Sequence, residues 1–151
     1  MYSGSSIVSK KNATKESRES LMTNLNSLRD QALRIARDHG FKDATALEDF
    51  ALIHSEVSEA LEDYREGASP NKVWYEEKPA IKGTFAPILH DEQSEDPNVI
   101  YKPCGIPSEM ADVIIRVLHF CGKHEIDIEA AIAEKMAYND SRPYKHGGKK
   151  L

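Results

Sequence analysis

Four carboxylates arrive in two pairs. Glu56 and Glu59 stand one helical turn apart in "HSEVSEALEDY", and Glu109 and Asp112 repeat that spacing in "SEMADVIIRVLHFCG", residues 108–122. Residues three or four apart lie on one helix face, so each pair presents its oxygens together. Like charges brought close repel one another and lose water, and something positive has to offset both costs. Oxygen-only ligands suit Mg²⁺ or Mn²⁺, and Mg²⁺ typically binds through a few carboxylates plus substrate phosphates. A ligand with a polyphosphate chain is therefore the natural guest of such a site.

The flanking residues say how the pairs must be held. At about 100° per residue, Glu109, Asp112, Arg116 and His119 fall within roughly 80° of arc. Met110, Val113, Ile114, Ile115, Val117, Leu118 and Cys121 cover most of the remaining circumference. A helix apolar on so many sides is expected to be enclosed, its polar stripe facing a narrow cleft. On the other helix, Ile53, Val57, Ala60, Leu61 and Tyr64 form an apolar face that puts Glu56 and Glu59 at the margin of the packed surface, with Asp63 a turn further on. The bland alternative is a solvated face for Glu56 and Glu59. For the second pair it is a structural ion pair from Arg116 to Glu109 or Asp112.

Four helices carry these residues. The first is read from about Ser20 to His39, with Leu21, Leu25, Leu28, Ala32, Ile35 and Ala36 at helical spacing and Gly40 as its stop. Thr45 and Glu48 have the spacing of a capping box, so the second helix runs from there to Glu66, stopped by Gly67. The third takes Ser108 as its cap after Pro107, and "GKHEID" turns the chain into a fourth, "IEAAIAEKMAYN", capped by Asp127. Between the acidic helices, residues 68–106 hold Pro70, Pro79, Pro87, Pro97 and Pro103 and no long helix. Short pieces around "KVWYEE" and "VIYKP" could pair there as a small hairpin. The expected fold is all-α, a bundle of four to five helices with a long irregular insertion.

The 151 residues suit one domain: a flexible Ser/Lys/Asn-rich arm at 1–18, then a helical domain at 19–151 that ends in a basic tail at 140–151. Net charge of −5 argues against a general nucleic-acid binder. No apolar run is long enough to cross a membrane and the first residues lack a secretory pattern, so the expected compartment is the cytoplasm. Cys104 and Cys121 supply neither a disulfide framework nor metal-ligand spacing, and Cys121 reads as a small core residue.

The order ExxE, then ExxD, then "EKMAYNDSRPYKHGGKK" at residues 134–150 resembles the all-α NTP pyrophosphatases, the MazG-like family. The likeness covers residues 45–67 and 105–150. It implies that Glu56, Glu59, Glu109 and Asp112 hold Mg²⁺ (Mn²⁺ as a substitute). Lys135, Asn139 and Arg142 would meet the nucleotide phosphates, and Lys145 would add charge from the tail. It further implies a dimer, or a pair of dimers, with sites built at subunit contacts. The reaction implied is cleavage of a nucleoside triphosphate to the monophosphate and pyrophosphate, clearing unwanted nucleotides. A water oriented by the metal or by a carboxylate would be the nucleophile, with Glu59 the first candidate to orient it and Glu56 the second. The family's first motif commonly reads EExxE; Ser55 stands where the leading Glu would be.

Alternatives remain within and beyond this class: an enzyme acting on dUTP or phosphoribosyl-ATP, or a non-catalytic helical interaction module of the same fold. In the insertion, taken as a lid, Trp74, Tyr75 and Tyr101 could stack on a base, and Trp74 could equally anchor the loop to the bundle. His54 reads as a core histidine, and His119 as hydrogen-bonded to a neighbouring acid.

Overall fold

The computed structural model describes residues 24–41, 44–77, 88–93 and 99–143. The N-terminal arm, residues 20–23 of the first expected helix, and most of the basic tail lie outside these residues.

Four helices dominate: α1 (Leu25–Asp38), α2 (Ala46–Arg65), α3 (Ile106–Lys123) and α4 (Ile128–Asp140). Their ends follow local chemistry. Asn24 caps α1 by accepting from the Ser27 amide at 2.7 Å. Thr45 and Glu48 form the expected reciprocal box at the start of α2, and Asp127 accepts from the Ala130 amide to open α4. Each cap satisfies an amide that the helix itself cannot.

The start of α3 differs from expectation. Gly105, not Ser108, occupies its cap position, and Pro107 lies inside the first turn, where a missing amide costs nothing. The Ser108 hydroxyl instead donates back to the Pro103 carbonyl at 2.9 Å. Gly105 has φ of 98°. A Cβ there would come within 2.7 Å of both the Lys72 carbonyl oxygen and the Trp74 ring. Only glycine meets both demands without strain.

The insertion is not wholly irregular, and the chain is not purely helical. Strands β1 (Trp74–Glu77), β2 (Ile88–His90) and β3 (Tyr101–Cys104) form an antiparallel sheet in the order β2-β1-β3. The expected pairing of β1 with β3 is present; β2 was not foreseen, because three residues are too few to show a two-residue period. His90 completes the sheet's outer half, its Nε2 3.0 Å from Glu77 Oε2 and its ring edge-on to Tyr101.

α3 is the centre of the bundle, packed along α2 on one side and α1 on the other. Gly122 allows the approach to α1: a Cβ there would sit 3.0 Å from Leu33 Cβ. Phe50 of α2 meets Phe120 of α3 with ring centroids 4.9 Å apart. The core is thin. Its buried apolar residues, among those described, are Ala60, Cys104, Leu118 and Cys121. The acids Asp49, Glu56 and Glu109 are buried as deeply.

Asp49 is paired with Lys123 at 2.6 Å. The same ammonium donates to the Ala44 carbonyl, so one lysine ties the entry of α2 to the end of α3. Meanwhile Val57, Leu61 and Tyr64 of α2, and Met110 and Ile114 of α3, are exposed. The enclosure expected around α3 is therefore incomplete in a single chain. His54 is also exposed, correcting its reading as a core residue. No helix among the described residues is long and apolar enough to cross a membrane.

Candidate functional site

Glu56 on α2 and Glu109 and Asp112 on α3 converge. One carboxylate oxygen from each lies within 4.8 Å of the other two. Three of the four carboxylates expected to converge thus meet across the α2–α3 contact, and Glu59 is not among them. Their depth differs from the expectation that Glu56 sits at the margin: Glu56 is 6% exposed and Glu109 7%. The face of α2 turned inward centres on Asp49, Glu56 and Ala60, while Val57, Leu61 and Tyr64 look outward. Of the apolar face expected on α2, Ala60 is buried while Val57, Leu61 and Tyr64 are exposed, because Asp49 and Glu56 turn inward to partners on α3.

One partner is Arg116. Its Nε donates to Glu56 Oε1, across to the neighbouring helix. It does not pair with Glu109 or Asp112, which was the expected structural ion pair. Glu109 has no ion-pair or hydrogen-bond partner for its carboxylate among the described residues, and it is the most enclosed member of the pair on α3. Burial is the largest influence on it and the charge of Glu59 the next; with Asp112 and Glu56 they push its carboxyl above the ordinary carboxylate value, against a smaller pull from Lys102. A buried carboxyl facing other carboxylates, without a cation of its own, is the arrangement a divalent metal relieves.

Glu59 stands outside the convergent trio. It is exposed and accepts from the Ser55 hydroxyl at 3.4 Å. Its charge nonetheless acts on Glu109 more than any other. Ser55 therefore serves as a hydroxyl donor to Glu59.

A cavity of about 700 Å³ adjoins the trio, between α1, α2 and α3. Its walls are mostly apolar, with Leu28, Ala32, Ile35, Leu52 and Ile115 among them. Asp112 and Arg116 belong to both the cavity wall and the acidic site. Asp49 and His119 line it too. His119 makes no hydrogen bond to an acid among the described residues, contrary to expectation; burial pulls its imidazole below the ordinary value, and the Asp49 charge opposes this. The size and lining are those of a small-molecule pocket.

Lys135, Asn139 and Arg142 lie together but apart from the acids. Lys135 Nζ is 5.2 Å and the Arg142 guanidinium 5.7 Å from the Tyr138 ring centre. α4 has no buried residue. Its start is pinned to α1, where Asn26 donates to Asp127 at 2.9 Å and Glu129 at 3.1 Å. Among the described residues, no ion pair joins these basic groups to the acidic trio. Lys145 lies outside the described residues. Trp74 packs against Gly105, so it anchors the sheet to the start of α3.

Two features escaped the sequence reading: the Asp49–Lys123 pair and the charge of Lys102 beside Glu109. The first depends on a contact between elements far apart in the chain; the second comes from the strand that leads directly into α3. Only the tight run "KPCGIP" before the acidic helix hinted at the second.

The raised Glu109 carboxyl makes a pH test possible. In the folded, metal-free chain it keeps its proton longer than in the unfolded chain. Its contribution to stability therefore falls as pH rises from the ordinary value of 4.5 through the raised one. A divalent cation relieves the penalty only where the carboxyl is ionised. The rise in Tm on adding Mg²⁺ or Mn²⁺ is expected to be clearly larger at pH 7.5 than at pH 5, read by differential scanning fluorimetry. An equal rise at both pH values would place the ion elsewhere.

Fold and site together define a mostly helical protein with a carboxylate cluster across α2 and α3, one member of which, Asp112, also lines an apolar cavity. Comparison with protein-family models, with curated proteins and with solved structures returns no match.

Proposed function

We propose that this chain is an Mg²⁺-dependent nucleotide pyrophosphohydrolase, splitting a nucleoside or deoxynucleoside triphosphate with water into the monophosphate and pyrophosphate. The observation that carries this reading is the convergence of Glu56, Glu109 and Asp112, with Glu109 buried and without an ion-pair partner among the described residues, beside a cavity sized for a nucleoside. The likeness of the acidic and basic motifs to the MazG-like enzymes, which remains a resemblance, points the same way.

The donor set fits a hard cation: all oxygen, from three carboxylates on two rigid helices. Glu56, Glu109 and Asp112 would hold it, and bound there it would neutralise charge on the phosphate oxygens. The protein's own residues do the rest. The apolar cavity takes the nucleoside and leaves the phosphate chain at the Asp112 edge. Glu59, exposed and held by Ser55, orients the attacking water and takes its proton. The water oxygen bonds to the α-phosphorus as the bond from that phosphorus to the bridging oxygen breaks, and pyrophosphate leaves. Arg116 holds Glu56 in place during this step.

Lys135 and Asn139 of α4, with Arg142 just past its end, complete the site in a second copy. Among the described residues no ion pair joins Lys135 or Arg142 to the acids of their own chain, while exposed Val57, Leu61, Tyr64, Met110 and Ile114 supply apolar area for association. A homodimer, or a pair of dimers, would bring one copy's basic end to the other's carboxylates. Its cellular role would be clearing unwanted nucleotides from the cytoplasmic pool.

The test is pyrophosphate release from a panel of ribo- and deoxynucleotides, with dUTP and phosphoribosyl-ATP included, with and without Mg²⁺. Metal-dependent release with a matching monophosphate supports the enzyme. No release from any member, together with no metal binding, favours the interaction module. Sedimentation of the active species is expected to give at least a dimer; an active monomer would reject the shared site.

A further inference from the structure

Successive residues of a strand point to opposite faces. The pairing of β1 with β3 sets Trp74 opposite Cys104 and Glu76 opposite Lys102, so these four side chains share one face of the sheet. Cys104 is buried, with its thiol 3.9 Å from Glu76 Oε2. The Trp74 ring lies against Gly105. That face is therefore the one turned toward the start of α3, whose first turn carries Glu109.

Lys102 is the exposed member of this face. Although Glu76 stands opposite, Lys102 makes no ion pair among the described residues. Its positive charge reaches both Glu109 and Cys104. The other cation at the site, Arg116, is already engaged with Glu56.

A triphosphate carries more negative charge than one divalent ion cancels, and it must approach three carboxylates. Beside the basic end that a second copy would bring, a cation from the same chain close to Glu109 would offset part of that charge. A lysine is suited to this, being a compact charge on a flexible stem that can swing to a phosphate oxygen. The sheet holds its backbone in register, and Gly105 joins that strand directly to the acidic helix.

We propose that Lys102 is the cation the insertion delivers to this site, where its ammonium takes an oxygen of the substrate's phosphate chain beside Glu109. This rests on the pyrophosphohydrolase reading and adds to it a binding residue from β3, which makes the insertion part of the site rather than only its cover.

The experiment compares wild type with Lys102→Gln in steady-state pyrophosphate release at saturating Mg²⁺. It also measures Mn²⁺ binding to each protein without substrate. Loss of one charge-assisted hydrogen bond predicts a fall in kcat/KM of about 10- to 100-fold. Mn²⁺ affinity should stay level or tighten, because a repelling charge has left the neighbourhood. Unchanged kcat/KM overturns the role of Lys102 and leaves the pyrophosphohydrolase reading intact. So does an activity loss matched by weaker Mn²⁺ binding, which would mean that the acidic site itself had been disturbed. A wild-type protein that releases no pyrophosphate from any nucleotide takes both readings down.

Discussion

Glu109→Gln is expected to lower pyrophosphate release by on the order of 100- to 1000-fold while the helical signal in circular dichroism is unchanged. The size follows from position. Glu109 is buried, without a cation of its own, and within reach of Glu56 and Asp112 on the same potential ion. Glutamine keeps the shape but removes the charge that a hard divalent ion requires. The stability effect should run the other way. Without metal, ionised Glu109 is held in an enclosed place beside Glu59, Asp112 and Glu56, so its loss is expected to raise the metal-free Tm. Metal should then add little further stability. A purely structural Glu109 would give the reverse pattern: a lower Tm, with turnover reduced only as far as folding is. Three measurements on one variant, namely turnover, Tm without metal and Tm with metal, separate the cases.

Lys123→Met is the variant expected to cost most in folding. Lys123 is paired with buried Asp49 and bonded to the Ala44 carbonyl, with side-chain exposures of 17% for the lysine and 6% for the aspartate. Removing one partner of a buried pair strands the other charge, a loss of about 3–5 kcal/mol. Urea unfolding followed by circular dichroism would read it directly. Asp49→Leu combined with Lys123→Met should recover much of that loss, since no charge is then left buried. If the single variant unfolds at the wild-type urea concentration, the pair is a surface contact and the tie between α2 and α3 lies elsewhere. Asp49 also lines the cavity, so the double variant is informative about stability and not about turnover.

Assembly also bears on stability. A core whose buried apolar residues, among those described, are Ala60, Cys104, Leu118 and Cys121 is small beside this much exposed apolar helix. Burial of α2 and α3 residues such as Val57, Leu61 and Ile114 in a dimer would stabilise the fold as it completes the site. Folding and association would then be linked, with Tm rising with protein concentration.

Local features were legible in the sequence because local physics sets them. The capping box of Thr45 and Glu48, the cap at Asp127 and the helical spacing of both acidic pairs involve residues at most four apart. The convergence of Glu56 with Glu109 and Asp112 also followed, since adjacent antiparallel helices of a bundle must bring facing stripes together. The inward face of α2 was misread. Apolar count favoured Val57, Leu61 and Tyr64, and nothing within twenty residues revealed that Arg116 waits for Glu56 or Lys123 for Asp49.

The chain's own pattern thus determined which residues could act together on a metal and a phosphate, for helix period alone aligns them. The tertiary structure decided which of them are buried, that Glu56 meets Arg116, and that Lys102 lies on the strand leading into the acidic helix. Burial and pairing are properties of the space between elements, and the free energy that fixes them comes from contacts such as those between residues 60 and 74 positions apart in the chain.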